Sequence, residues 1–148
     1  MSRLRRILYP TDFSGASGAA FARAVAMAKT ERAQLLLVHV LGPPAPMAGE
    51  GYISPKVYDD LEASARQYAQ KRLAALQAKA RKAGVKAVTL LLDGVAHDQI
   101  ARAAKSKKAD LIVIGTHGRT GLAKFFLGSV ASRVVAAASC PVLTVRGR

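Results

Sequence analysis

The sequence predicts a single doubly wound α/β domain, a Rossmann-like fold with a five-stranded parallel sheet and helices on both faces. Three observations carry this. Short apolar runs alternate with segments of helical period in the order βαβαβαβαβ, and such crossovers demand parallel strands. The runs Gln34–Leu41 and Asp110–Ile114 are almost continuously apolar, as strands covered on both faces are. A glycine-rich stretch, Gly115–Ser129, follows one of those strands and leads into a helix.

Taken in order, Leu4–Tyr9 reads as the first strand, and Pro10, which has no amide proton for a ladder, ends it. Thr11–Gly15 is a turn in which Ser14 or Ser17 can cap the next helix. That helix runs to about Arg32, with Phe21, Ala24, Val25 and Ala28 on one apolar face. Gln34–Leu41 is the second strand. Residues 42–55 hold four prolines and three glycines and read as a loop. From Lys56 to Ala83 the helical period returns through Leu61, Ala65, Ala69, Leu73, Leu76 and Ala80, and Gly84 closes it. Val85–Leu92 is the third strand and Ala96–Lys105 a short helix with Ile100, Ala101 and Ala104 inward. Strand 110–114, the glycine loop, helix 129–138 and strand 141–145 complete one domain over residues 1–148.

At 148 residues and 51% hydrophobic, the chain can bury a core without staples. It has no membrane-spanning run and no signal-peptide pattern, and its single cysteine excludes an intrachain disulfide. A soluble cytoplasmic protein is expected. The net charge of +14 admits a nucleic-acid partner. However, the basic residues Arg66, Lys71, Arg72, Lys79, Arg81, Lys82 and Lys86 carry no row of interleaved aromatics as a platform for stacking bases, which favours a solvated surface.

The glycine stretch lies where a helix start leaves amides unpaired and directs partial positive charge outward, a natural anion site. Its spacing is neither a P-loop nor a dinucleotide fingerprint. It reads Gly115-x-x-Gly118, nine residues, then Gly128-Ser129. With Ile7-Leu-Tyr-Pro-Thr-Asp-Phe-Ser14, Leu37-Val-His-Val40 and Cys140-Pro-Val-Leu-Thr-Val145, this resembles the universal stress protein family, of the nucleotide-binding type, along essentially the whole chain.

The resemblance implies an adenine nucleotide alpha hydrolase-like fold, and that ATP, or AMP or ADP, binds with its adenine against Val40 and the Pro10–Thr11 turn. Asp12 would contact the ribose or the metal–phosphate region, near any nucleotide-bound Mg²⁺. Gly115, Gly118, Gly128 and Ser129 would hold phosphates, flanked by Ile114 and Val130. Asp12 can equally cap its turn. His117 can touch a phosphate or bond turn backbone, and Arg119 can neutralise phosphate or lie on plain surface. The resemblance further implies a homodimer through strand 141–145, whose edge needs protection.

The three histidines lack ligand spacing, so no protein-held metal is expected. No paired carboxylates, positioned base or P-loop lysine accompany Asp12, so a regulator with at most slow ATP hydrolysis is expected. The competing reading is a basic protein-interaction or nucleic-acid-binding module whose glycine loop is vestigial.

Overall fold

The computed structural model describes residues 3–42, 54–116 and 128–147. Nine elements follow in order: β1 (Arg6–Pro10), α1 (Gly15–Glu31), β2 (Gln34–Leu41), α2 (Pro55–Lys82), β3 (Ala87–Asp93), α3 (Ala96–Ser106), β4 (Leu111–Gly115), α4 (Ser129–Ala137) and β5 (Val142–Val145). The five strands form one parallel sheet in the order β3-β2-β1-β4-β5. The order reverses between β1 and β4, the place where open α/β sheets bind ligands.

Side-chain alternation sorts the strands onto two cores. Ile7, Tyr9, Leu35, Leu37, Leu111 and Val113 face one side, under α1 and α2. Leu8, Leu36, Val38, Ile112 and Ile114 face the other, under α3 and α4. Each such buried aliphatic side chain stabilises the fold by about 1.5–3 kcal/mol, which is why these runs dominate the architecture.

Local chemistry sets the ends. Ser14 caps α1 by accepting the Ser17 amide, and Ser54 caps α2 with Pro55 in its first turn. Gly84 takes φ 89° just beyond α2, the left-handed residue expected there.

Several expectations need correction. Pro10 belongs to β1, opposite Val38; the ladder towards β2 continues because the next amide, Thr11 N, donates to the Val38 carbonyl at 2.8 Å. The buried face of α1 is Ser17, Ala20, Ala24 and Ala28, with Phe21 and Val25 only partly covered. Alanines let the helix lie close to the sheet. In α3 the buried residues are Ile100, Ala103 and Ala104, not Ala101. Leu61 and Ala65 of α2 are exposed although they continue the apolar period. At 1.5 Å per residue α2 extends about 42 Å, whereas seven-residue β3 spans only about 23 Å, so the first half of α2 overhangs the sheet.

Candidate functional site

A cavity of about 300 Å³ opens at the carboxyl ends of β1, β2 and β4. Its apolar wall comes from Val38 and Val40 on β2, Ile100 on α3 and Ile114 on β4. Its polar rim comes from Thr11, Asp12, Ser17, His39, Thr116 and the α4 start, Gly128–Ala131.

Of the positions expected from sequence, Pro10, Thr11, Asp12, Val40, Ile114, Gly115, Gly128, Ser129 and Val130 all line this cavity. Four separated stretches therefore converge as the parallel topology requires. His117, Gly118 and Arg119 lie outside the described residues.

The Thr11–Ser14 turn is fixed from within. Phe13 N donates to Thr11 Oγ1 at 2.9 Å, and Ser14 N donates to Asp12 Oδ1 at 2.9 Å. The turn-capping role of Asp12 is thus real, and it coexists with a place in the cavity lining. Phe13 adopts φ 64°, a left-handed conformation that costs a non-glycine residue about 1–2 kcal/mol. Behind the turn, Tyr9 Oη donates to the Ser17 carbonyl at 2.7 Å. Burial raises the Tyr9 phenol above its ordinary value of 10.0, outweighing the neighbouring Ser17 and Thr11 side-chain hydroxyls, which lower it.

Gly115 has a role that the loop pattern did not reveal. A Cβ there would lie 3.3 Å from the Ala16 carbonyl oxygen and 3.4 Å from Ser17 Cα. Bare glycine lets the end of β4 pass against the first turn of α1.

The start of α4 faces the cavity with Gly128 as its cap residue, and among the described residues no side chain caps its first amides. Its first turn carries no acidic residue. Such a start presents N–H donors and a positive dipole end to an anion. Gly128 N itself donates to the Thr116 carbonyl at 2.6 Å, tying the helix start to the end of β4. Asp12 is the one carboxylate among the described lining residues. Among the described residues no group of three or more His, Cys, Asp or Glu side chains is placed to hold a metal. No described helix is long and apolar enough to cross a membrane.

Sequence reasoning did not single out Ser17, Val38, His39, Ala96, Ile100, Thr116 or Ala131 as lining. His39 alone carried a usable signal, as the one ionisable residue interrupting an apolar strand. Its Nδ1 sits 2.7 Å from the Thr11 carbonyl oxygen.

The profile of the Universal stress protein family matches residues 3–146. Universal stress protein MJ0531 of Methanocaldococcus jannaschii is 38% identical over 144 residues, covering 96% of this chain and 82% of that protein. A universal stress protein of Thermus aquaticus is 37% identical over 142 residues, covering 96% and 98%. Among solved structures, MJ0577 of Methanocaldococcus jannaschii superposes with a TM-score of 0.86 at 26% identity, covering 99% of each chain. A universal stress protein solved in complex with cAMP superposes with a TM-score of 0.72 at 26% identity, covering 98% of each chain.

Proposed function

The chain belongs to the universal stress protein family, and from that membership we propose that it binds an adenine nucleotide, ATP or a shorter relative, and acts as a nucleotide-dependent regulator. The observation that carries the reading is the convergence of Pro10–Asp12, Val40, Ile114–Gly115 and Gly128–Val130 on one cavity. At about 300 Å³ it lies at the small end of ligand pockets, roughly 300–1,000 Å³. The aliphatic wall of Val38, Val40, Ile100 and Ile114 suits a flat base, Thr11 and Asp12 suit sugar hydroxyls, and the α4 start suits phosphate. The cAMP complex of a neighbour at 26% identity supports the same ligand class. Any Mg²⁺ would arrive with the phosphates, Asp12 being the one carboxylate among the described lining residues.

Regulation is favoured over fast turnover because one carboxylate is a thin apparatus for metal-assisted hydrolysis. The reading includes a cytoplasmic location and a homodimer formed through β5.

Thermal unfolding tests the ligand. Mg²⁺–ATP at about a hundred times its Kd stabilises the folded state by ~2.7 kcal/mol and raises the melting temperature. No shift with millimolar Mg²⁺–ATP overturns the proposal. A shift with duplex DNA instead, lost steeply with salt, would favour the polyanion reading. Against that reading, three of the α2 cations are engaged within the fold. Arg66 bonds Asp93 at 2.6 Å, Arg72 donates to Tyr68 Oη at 2.8 Å, and Arg81 donates to the Ala87 carbonyl at 3.4 Å.

A further inference from the structure

We propose that Arg72, on α2, is a positioning residue that holds the Thr11–Ser14 turn in the shape the nucleotide site requires, a proposal that rests on the nucleotide reading above. The turn sends Thr11 and Asp12 into the cavity lining while the Phe13 side chain joins the core beneath α1 and α2. A phenylalanine in the left-handed region persists only where its surroundings over-determine it. His39, itself a cavity residue, stacks on the Phe13 ring with centroids 4.3 Å apart and 24° between planes. The Tyr68 ring meets Phe13 edge-on at 6.0 Å.

Arg72 joins these groups. Its guanidinium lies 5.2 Å from the Phe13 ring centroid and 5.6 Å from that of Tyr68. Nη2 donates to the Phe13 carbonyl at 3.3 Å and Nη1 donates to Tyr68 Oη at 2.8 Å. Tyr68 and Arg72 are one helical turn apart, so α2 presents both on one face. Arg72 thus grips the ring and the backbone of the strained residue at once. The planar fork of arginine can do this, and the point charge of lysine cannot serve both acceptors in the same geometry. Nothing about Arg72 in the sequence separates it from its basic neighbours on α2; only the fold brings it to residue 13.

The test uses the full chain as wild type, Arg72→Met, Arg72→Lys, Tyr68→Phe and, as a control on the same helix, Lys71→Met. Mg²⁺–ATP affinity is measured by calorimetry at a temperature where circular dichroism shows every variant folded. A loss of general stability leaves affinity there unchanged, whereas a misplaced turn does not. Amide hydrogen exchange of the nucleotide-free proteins is measured in parallel. Arg72→Met is expected to bind ATP roughly five- to tenfold more weakly, about 1.0–1.4 kcal/mol. The Phe13 and Ser14 amides should exchange faster, while Leu36 and Ile112 keep their protection. Arg72→Lys should recover little, Tyr68→Phe should fall between, and Lys71→Met should match wild type. Wild-type affinity in Arg72→Met overturns the proposal. Should the wild type bind no ATP, the nucleotide reading falls by itself and exchange decides the clamp. Unchanged Phe13 and Ser14 protection in Arg72→Met then overturns it, and faster exchange supports it.

Discussion

The hydroxyls of Thr11 and Ser17 lie 3.0 Å apart, and both residues are buried. Ser17 Oγ gives its proton to the Ser14 carbonyl at 2.8 Å, so Thr11 must be the donor between the two hydroxyls. Thr11 Oγ1 in turn accepts the Phe13 amide. The chain of bonds has one consistent direction, and it locks the end of β1 to the first turn of α1 at the rim of the cavity.

Thr11→Val keeps the shape and removes both roles of the hydroxyl. It leaves the Phe13 amide without its acceptor, and a stability loss of about 1–3 kcal/mol is expected in urea unfolding. Ser17→Ala should cost about as much. The double variant should cost less than the sum, because both substitutions break the same network. Strict additivity would show that the two hydroxyls act separately.

Gly115→Ala places a methyl group against the Ala16 carbonyl and Ser17 Cα, which are helix backbone and cannot swing aside. Such overpacking costs about 1–3 kcal/mol, and a melting temperature about 3–9 °C lower is expected for a chain of this size. An unchanged melting temperature would mean that α1 moves freely against β4.

Gly115 also marks how far the sequence could be read. The elements were legible because buried parallel strands are almost continuously apolar and helices keep their own period; the strand expected over Gln34–Leu41 has those same ends in the structure. Their convergence at one sheet edge was legible because parallel topology puts every strand's carboxyl end on the same side. What periodicity could not supply is the extent of the sheet, which leaves Leu61 of α2 in solvent. Nor could it show contacts set by a single backbone torsion. Phe13 reads as an apolar turn residue, and its left-handed conformation, its stack on His39 and its grip by Arg72 depend on packing between distant segments. Gly115, expected from the sequence to contact phosphate, is the contact point of β4 with α1.

Ser129→Pro separates the α4 amides from the α4 helix. Ser129 is the first helical residue, where proline is tolerated. Gly128 already sits at φ −56° and ψ 152°, the extended region that a following proline demands. Stability should therefore change little, while one N–H directed at the proposed phosphate is lost. Mg²⁺–ATP affinity should fall by about tenfold, comparable to one hydrogen bond to a charged group. Ser129→Ala, which keeps the amide, should lose less. Equal affinity in Ser129→Pro and wild type would remove the α4 start from the site.

Tyr9 predicts the alkaline limit of the fold. Its phenol titrates above 10.0 in the folded state, chiefly because burial disfavours the phenolate. The unfolded chain releases that proton first, so the Tyr9 contribution is complete below pH 10 and is lost as pH rises from there towards the folded value. Tyr9→Phe should lower stability at neutral pH by about 1 kcal/mol through the lost bond to the Ser17 carbonyl. It should also flatten the decline above pH 10. A decline as steep in Tyr9→Phe as in wild type would assign it to other groups.

The edge position of β5 is the physical ground for the proposed dimer. β5 pairs with β4 from Ile112↔Val142 to Gly115↔Val145, and the sheet order places no described strand on its other side. Among the described residues no strand covers its outer backbone groups, and Val142, Leu143 and Val145 are only half-buried in the single chain. An edge of this kind is either shielded or paired with another copy, and a twofold pairing of identical strands satisfies both protomers at once. Light scattering at micromolar concentration should give twice the chain mass, and the melting temperature should rise with protein concentration. Thr144 is exposed on this strand, so Thr144→Lys sets two like charges into the paired edge without entering the core. It should yield a folded monomer. A wild-type chain that is already monomeric at micromolar concentration would show that the β5 edge is not the seat of a dimer.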